Sequence, residues 1–168
     1  MVIKYVGKVS LNYKIYNMIT IEDYKIKHSN KVRFIGLDLG SKRIGVSICD
    51  EKQSIATPFK TINKTNTNEL IDQLKLIVGE NNIGGIVVGN PINMDGSVGR
   101  SAQSVNDVAS NISRSIDLPV MLWDERLSTV GAFNLSSLLD VNVSKRVKTI
   151  DQNAAAFILQ GAIDFLNN

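Results

Sequence analysis

The stretch Phe34-Ile-Gly-Leu-Asp-Leu-Gly40 decides the fold of this chain, because it is a strand with apolar residues on both faces that ends in an acid and a turn. Side chains alternate along a strand, so Phe34, Gly36 and Asp38 share one face. A strand that is apolar on both faces is typical of the interior of an α/β sheet. A carboxylate at the end of such a strand is costly unless it is paired or binds a cation. The alternative is that Asp38 caps the turn at Gly40.

The residues around this strand predict an α/β protein. A turn too short for a crossover helix separates Val32–Leu39 from Ile44–Cys49, so these two strands are expected to pair antiparallel. The other predicted elements are an edge strand Ile55–Ile62 that contains Pro58, a helix over 66–80, a strand Ile86–Val88, a helix over 101–115, a strand Val120–Trp123, and helices Ser128–Leu139 and Thr149–Leu166. This order predicts three layers: a mixed five-stranded sheet with strand 2 antiparallel, strands 1, 4 and 5 parallel, and helices on both faces.

The composition excludes several classes of protein. The chain has 168 residues, which supports one domain, and 43% of them are hydrophobic, as in globular proteins. One cysteine and one histidine exclude a disulfide framework, a multi-cysteine zinc site and a His-rich metal site. No apolar run approaches the ~20 residues that span a bilayer, and the first ten residues lack the apolar core of a signal peptide. A cytoplasmic protein without membrane contact is expected.

The positive charge of the chain is confined to its N-terminal part. Residues 1–30 contain five lysines and two acids, which accounts for the whole net charge of +3. We therefore predict a flexible N-terminal extension over 1–30 and a single domain over 31–168. The extension is interpreted as a poorly ordered tail or a start assigned too early; the alternatives are an extra edge hairpin and, least favoured because of Glu22 and Asp23, a targeting segment.

Acidic residues occur at three places where an α/β sheet gathers its functional groups, the carboxyl ends of parallel strands. Asp38 ends the first strand, and Asp124 and Glu125 follow the strand Val120–Trp123. Asp151 heads the apolar stripe of the last helix, although an acid is also favoured there by the helix dipole. Neighbouring residues point to opposite sides, so at most one of Asp124 and Glu125 is expected to face the site directly. The alternative is a solvated strand end with an internal pair between Glu125 and Arg126.

These carboxylates predict a site for a hard divalent cation. Carboxylate oxygens without histidine or cysteine suit Mg²⁺ or Mn²⁺. Two such ions ~3.5–4 Å apart can activate water and stabilise the leaving oxygen of a phosphodiester.

Residues near the acids are candidates for binding phosphates. Lys42 and Arg43 lie in the turn after the first strand, and Arg126 follows the acidic pair. The loop Gly89–Ser97 is rich in turn formers, although it is also compatible with a plain strand-to-helix connection. The substrate-binding candidates are Lys42, Arg43, Asn93, Asp95, Gly96, Arg100 and Arg126.

Four segments closely resemble the YqgF/RuvX family. They are Gly36-Leu-Asp-Leu-Gly-Ser-Lys-Arg-Ile-Gly-Val46, Ile86-Val-Val-Gly-Asn-Pro-Ile-Asn-Met-Asp-Gly-Ser97, Trp123-Asp-Glu-Arg-Leu-Ser-Thr129 and Asp151-Gln-Asn-Ala-Ala-Ala-Phe-Ile-Leu-Gln160. The resemblance covers about residues 31–168. It implies an RNase H-like fold and metal-dependent cleavage of phosphodiesters, with catalytic acids at Asp38, Asp124, Glu125 and Asp151, of which Asp38, Glu125 and Asp151 are the expected metal ligands.

The resemblance also implies a biological role. Members of the family are described as nucleases of precursor 16S rRNA or as Holliday junction resolvase-like proteins. The implied role is therefore maturation of the 5′ end of small-subunit rRNA during ribosome biogenesis in the bacterial cytoplasm, with precursor rRNA and ribosomal particles as partners; branched DNA is the alternative substrate. Two positions depart from the family pattern: Asn90, where the family usually has Leu, and Gly131, where it often has an acid.

Two rival functions belong to other classes. Actin-like and sugar-kinase ATP-binding modules also use an Asp-x-Gly turn, but they pair two such lobes and need about twice this length. A non-catalytic RNA-binding factor of ribosome assembly is the other rival, against which the intact set of acids argues.

Overall fold

The protein is described from a computed structural model that covers residues 18–27, 32–127 and 143–168, with side chains from Asn153 onward in the last segment. The elements, in chain order, are β1 (Met18–Ile19), α1 (Ile21–Lys27), β2 (Arg33–Leu39), β3 (Arg43–Cys49), β4 (Ala56–Asn63), α2 (Thr67–Asn81), β5 (Ile83–Asn90), α3 (Arg100–Ser115), β6 (Val120–Asp124), a 3-10 turn (Glu125–Leu127) and α4 (Val143–Asn167). The predicted helix Ser128–Leu139 lies outside the described residues. Helix α4 begins before the predicted Thr149.

The strands form a mixed six-stranded sheet in the order β1-β6-β5-β2-β3-β4. Strand β2 pairs antiparallel with β3 and parallel with β5, and β5 pairs parallel with β6. These pairings confirm the predicted antiparallel second strand and the three parallel strands. Strand β4, which contains Pro58, pairs with β3 and lies at one edge of the sheet that the described strands form, as predicted.

The sixth strand comes from the N-terminal segment. Met18 and Ile19 pair parallel with Val120 and Met121 of β6. Helix α1 follows directly and buries Ile21 and Tyr24. The prediction of a flexible extension over 1–30 is therefore wrong for residues 18–27, because their apolar side chains cover an edge of the sheet that the predicted five strands would leave open.

Helices cover both faces of the sheet. Helices α2 and α3 pack on one face, in a core that contains Ile35 and Leu37 of β2. Helices α1 and α4 pack on the other face, in a core that contains Phe34. The alternation of β2 thus feeds two cores, which is why its sequence is apolar on both sides.

Helix α4 crosses β2 and β3 at very close range. A methyl group on Gly36 would lie 2.5 Å from Ser47 Oγ, 2.7 Å from Leu159 Cβ and 2.8 Å from the Ala155 carbonyl oxygen. Ser47 Oγ also donates a hydrogen bond of 2.7 Å to that carbonyl. Gly36, two residues before Asp38, lets the backbone of α4 approach β2. The hydrogen bond from Ser47 joins β3 to the same turn of α4.

Candidate active site

The site lies at the edge of the sheet where β2, β5 and β6 end. Asp38 is the penultimate residue of β2, on the α4 face that Phe34 and Gly36 share. Glu125 begins the 3-10 turn directly after β6. The two carboxylates are close enough for Asp38 to perturb the ionisation of Glu125. The structure thus brings together two of the predicted catalytic acids, from strands on either side of β5.

Gly89 provides the space in which Glu125 reaches Asp38. This residue is the penultimate one of β5, between the other two strands. A methyl group on Gly89 would lie 2.5 Å from Glu125 Oε1 and 2.4 Å from Ile158 Cδ1. The Glu125 carboxylate therefore lies over the backbone of β5, beneath helix α4.

Burial and like charges disfavour the ionised form of Glu125. Burial raises the pKa of this carboxyl, and the negative charges of Asp38 and then Asp124 raise it further. A cation between Asp38 and Glu125 would relieve both effects.

Asp124 has different surroundings from Glu125. Its partner residue in β5 is Asn90, one position after Gly89, so its side chain starts on the opposite face of the sheet. Nε and Nη2 of Arg126 contact both of its carboxylate oxygens, with a shortest distance of 2.6 Å. The Arg126 side chain lowers the pKa of Asp124 by hydrogen bonding, so Asp124 stays ionised.

The loop after β5 is held by its own hydrogen bonds. Gly96 N–H donates to the Asn93 carbonyl at 2.8 Å, and Asn93 N–H donates to the Ser97 carbonyl at 3.1 Å. Both the hydroxyl and the backbone N–H of Ser97 donate to Asp95, which lowers the pKa of that carboxyl. Gly96 has a φ of 85°, which favours glycine. The predicted residues Asn93, Asp95 and Gly96 therefore form one compact, exposed turn.

The basic candidates surround this edge. Lys42 is exposed in the β2–β3 turn, and Arg43 begins β3. Arg100 is exposed at the start of α3. Arg126 Nη1 lies 3.5 Å from the Asn93 carbonyl oxygen, which connects the end of β6 to the loop after β5.

Asp151 belongs to the first half of α4, in the part of the helix whose side chains lie outside the described residues. By helical periodicity its position is one turn before Ala155, which lies over Gly36. Its role as a metal ligand remains a prediction.

The donor set fits a hard divalent cation. Asp38 and Glu125 offer carboxylate oxygens, and burial together with the nearby charge of Asp38 raises the pKa of Glu125. Within the residues described, no group of three or more His, Cys, Asp or Glu side chains is placed to hold a metal ion. The pair could therefore supply part of a coordination shell, and the position of Asp151 is a candidate for another ligand.

Sequence reasoning did not identify three residues of this site. Gly89 leaves room for Glu125, Ser97 fixes Asp95, and Asn90 is 7% exposed with an Oδ1 atom that finds no hydrogen-bond partner among the described residues. A glycine next to the end of a buried strand was a usable signal, because it often marks a close approach.

The sheet order, the two helical layers and the paired acids at the strand ends define an RNase H-like α/β protein. Consistent with this class, T. thermophilus RuvC in complex with a Holliday junction substrate shares the fold, with a TM-score of 0.52 at 12% identity over 79% of this chain and 93% of RuvC. The RuvX family, described as Holliday junction resolvase, matches residues 32–165. This chain belongs to that family.

Two relatives carry a functional name that differs from the description of the family. A Pelagibacter ubique (strain HTCC1062) protein named "Putative pre-16S rRNA nuclease" is 91% identical over 151 residues, which are 90% of this chain and all of the relative. A Nitrobacter hamburgensis protein of the same name is 47% identical over 132 residues, 79% of this chain and 81% of the relative. The family description, resolvase, and the name of these relatives, nuclease, both describe enzymes that cleave phosphodiester bonds.

Proposed function

We propose that this chain is a metal-dependent nuclease that processes the 5′ end of precursor 16S rRNA in the bacterial cytoplasm. The observation that carries the proposal is the Glu125 carboxylate over Gly89, at the carboxyl edge of the parallel strands, near enough to Asp38 for the charge of Asp38 to act on it. The name of the Pelagibacter ubique relative, which matches over its whole length, favours the rRNA substrate. No helix among the described residues is long and apolar enough to span a membrane.

Asp38, Glu125 and Asp151 are the residues that would hold Mg²⁺ or Mn²⁺. A bound ion would supply Lewis-acid stabilisation of the phosphodiester and a more acidic water molecule. The chain's own contribution is to fix the two carboxylates: the Gly36 contact sets the distance between α4 and β2, and Gly89 lets Glu125 reach across β5.

We assign substrate binding to the basic and polar groups around this edge. Lys42, Arg43 and Arg100 would meet phosphates by charge, while Asn93, Asp95 and Gly96 would present a preformed loop to the nucleic acid. Because the domain beyond residue 30 is formally neutral, contacts of this local kind must supply its affinity for nucleic acid.

Branched DNA is the second candidate substrate. The name of the matching family and the fold shared with RuvC favour it. The two candidates use the same acids and differ only in the nucleic acid that the surface accepts.

A side-by-side cleavage assay tests the proposal. A 5′-labelled precursor 16S rRNA fragment and a four-way DNA junction are incubated with Mg²⁺, Mn²⁺, Ca²⁺ or EDTA. We expect cleavage of the rRNA fragment with Mg²⁺ or Mn²⁺, binding with little turnover in Ca²⁺ because of its looser coordination, and no cleavage in EDTA. Preferential cutting of the junction would assign the second substrate.

Variants identify the residues responsible. Asp38→Asn and Glu125→Gln should reduce cleavage to background, while Asp72→Asn, which changes an exposed acid of α2, should match the wild type. Full activity in excess EDTA, or near wild-type rates in Asp38→Asn, would contradict a metal-dependent mechanism. RNA binding without cleavage by the wild type would favour the non-catalytic assembly factor.

A further inference from the structure

Asp124 and Arg126 form a closed unit around Glu125. The Arg126 backbone N–H donates to Asp124 Oδ1 at 3.0 Å, and its guanidinium contacts both oxygens of the same carboxylate. The residue between them is Glu125, the first residue of the 3-10 turn. The pair therefore closes the turn from both sides.

The same arginine reaches the neighbouring loop. Arg126 Nη1 lies 3.5 Å from the Asn93 carbonyl oxygen, which also accepts the hydrogen bond from Gly96 N–H. One guanidinium thus links the turn after β6 to the loop after β5.

The turn decides where Glu125 points. In a continuing strand, the side chains of Trp123 and Glu125 would share one face, two residues apart. In the structure β6 ends at Asp124. The 3-10 turn that follows directs the Glu125 side chain back toward the end of β5, so that its carboxylate lies over Gly89. The bonds that close this turn are those between Asp124 and Arg126.

We propose that Asp124 and Arg126 are positioning residues that aim Glu125 at Asp38 and hold the Asn93–Ser97 loop beside it, without contact to the scissile phosphate. This inference rests on the proposed nuclease function. The sequence predicts that Arg126 contacts a phosphate and that Asp124 is a catalytic acid. The proposal instead gives both residues a positioning role. The fork of the guanidinium is essential, because an ammonium group cannot make the paired contacts.

A double-mutant cycle tests the proposal, using Asp124→Asn, Arg126→Gln, the double variant and Arg126→Lys. The control is Lys75→Gln, which removes an exposed charge on α2. The kcat and KM of cleavage are measured on the substrate that the wild type cuts. The affinity for Mn²⁺ alone is measured by calorimetry, and melting temperatures show that each variant is folded.

Each single variant should lose about 10- to 100-fold in kcat and in Mn²⁺ affinity, with KM nearly unchanged. The double variant should be no worse than the poorer single variant, because both changes break one unit. Arg126→Lys should not restore activity.

Three results would overturn the positioning role. One is a raised KM with unchanged kcat in the Arg126 variants, which indicates a phosphate contact. In that case the salt dependence of nucleic-acid binding should also fall by about one charge. Another is additive losses in the double variant. The third is wild-type behaviour of the single variants in an active enzyme, which leaves the nuclease function intact.

A wild type that cleaves neither substrate contradicts the proposed function, and the positioning role then depends on calorimetry. Weaker Mn²⁺ binding in the variants than in the wild type supports it, whereas equal binding, or none in any protein, overturns it.

Discussion

The Glu125 carboxylate lies against the backbone of Gly89, so closely that a methyl group on Gly89 would be 2.5 Å from Oε1. Gly89 of β5 thus leaves the space in which the side chain of Glu125, directly after β6, approaches Asp38. The other atoms in the path of such a methyl group are Cδ1 and Cγ1 of Ile158, at 2.4 and 3.1 Å. Both obstacles are ends of flexible side chains, so the strand itself need not move.

Gly89→Ala should therefore displace Glu125 without unfolding the protein. We expect Mn²⁺ affinity and cleavage to fall about 10- to 100-fold, and stability to fall by about 1–3 kcal/mol from the tighter packing against Ile158. Calorimetry and thermal melts measure the two effects.

The matched control is Gly79→Ala in α2, where a methyl group meets nothing within 4 Å. It should stabilise the helix by about 1 kcal/mol and leave Mn²⁺ affinity unchanged. Unaltered metal binding in Gly89→Ala would show that Glu125 does not depend on this space.

The raised pKa of Glu125 predicts a pH dependence of stability in the metal-free protein. The folded state holds this proton more tightly than the unfolded chain, so folding is disfavoured once the group ionises. Stability should be retained below the ordinary carboxyl pKa and fall as the pH rises through the raised value. The lowered pKa values of Asp95 and Asp124 act in the opposite sense, at more acidic pH.

Melting temperatures in EDTA between about pH 4 and about pH 8 measure this slope. Glu125→Gln should flatten it, whereas Asp72→Asn should keep it. If the wild type and Glu125→Gln share the same slope, Glu125 is not the group responsible.

Asn90 carries a buried polar atom that its surroundings leave without a hydrogen bond. Asn90 is 7% exposed, and its Oδ1 has no hydrogen-bond partner within the part of the chain that the structure describes. Asn90→Leu should raise the free energy of unfolding by about 1 kcal/mol, because an unsatisfied buried acceptor is removed.

Urea denaturation measures the change, and Asn90→Ala separates the loss of the amide from the gain of apolar packing. A clearly destabilised Asn90→Leu protein would indicate that the amide has a partner, such as a bound water.

Two truncations separate the basic residues 1–17 from β1 and α1. Residues 1–17 contain Lys4, Lys8 and Lys14 and no acid, so they carry the whole net charge of +3. Their removal should leave the melting temperature unchanged and weaken binding to RNA at low salt, with the difference shrinking as salt rises.

Removal of residues 1–27 should be destabilising in addition. Ile21 and Tyr24 are buried in the core beside Phe34, and each contributes about 1.5–3 kcal/mol of apolar burial. If the full chain and the chain without residues 1–17 bind RNA equally well at low salt, the three lysines of that segment do not contribute to binding. An unchanged melting temperature in the longer truncation would contradict the packing of α1.

The sequence by itself determined the central strands and their pairing. Apolar residues on both faces of β2 required two cores, and the short turn to β3 required an antiparallel pair. It also placed acids at the ends of β2 and β6, because the ends of strands can be read from their turn residues. These features depend on local periodicity and loop length.

The tertiary structure decided the rest. The two-residue strand β1 and the seven-residue α1 are too short to be recognised locally, and they are stabilised by contacts such as the edge-to-face packing of Tyr24 on Phe34. The different surroundings of Asp124 and Glu125 depend on where β6 ends and on the space above Gly89. Asp124 and Glu125 differ in surroundings because Gly89 of the neighbouring strand leaves room for the Glu125 carboxylate, whereas the Arg126 guanidinium binds the Asp124 carboxylate.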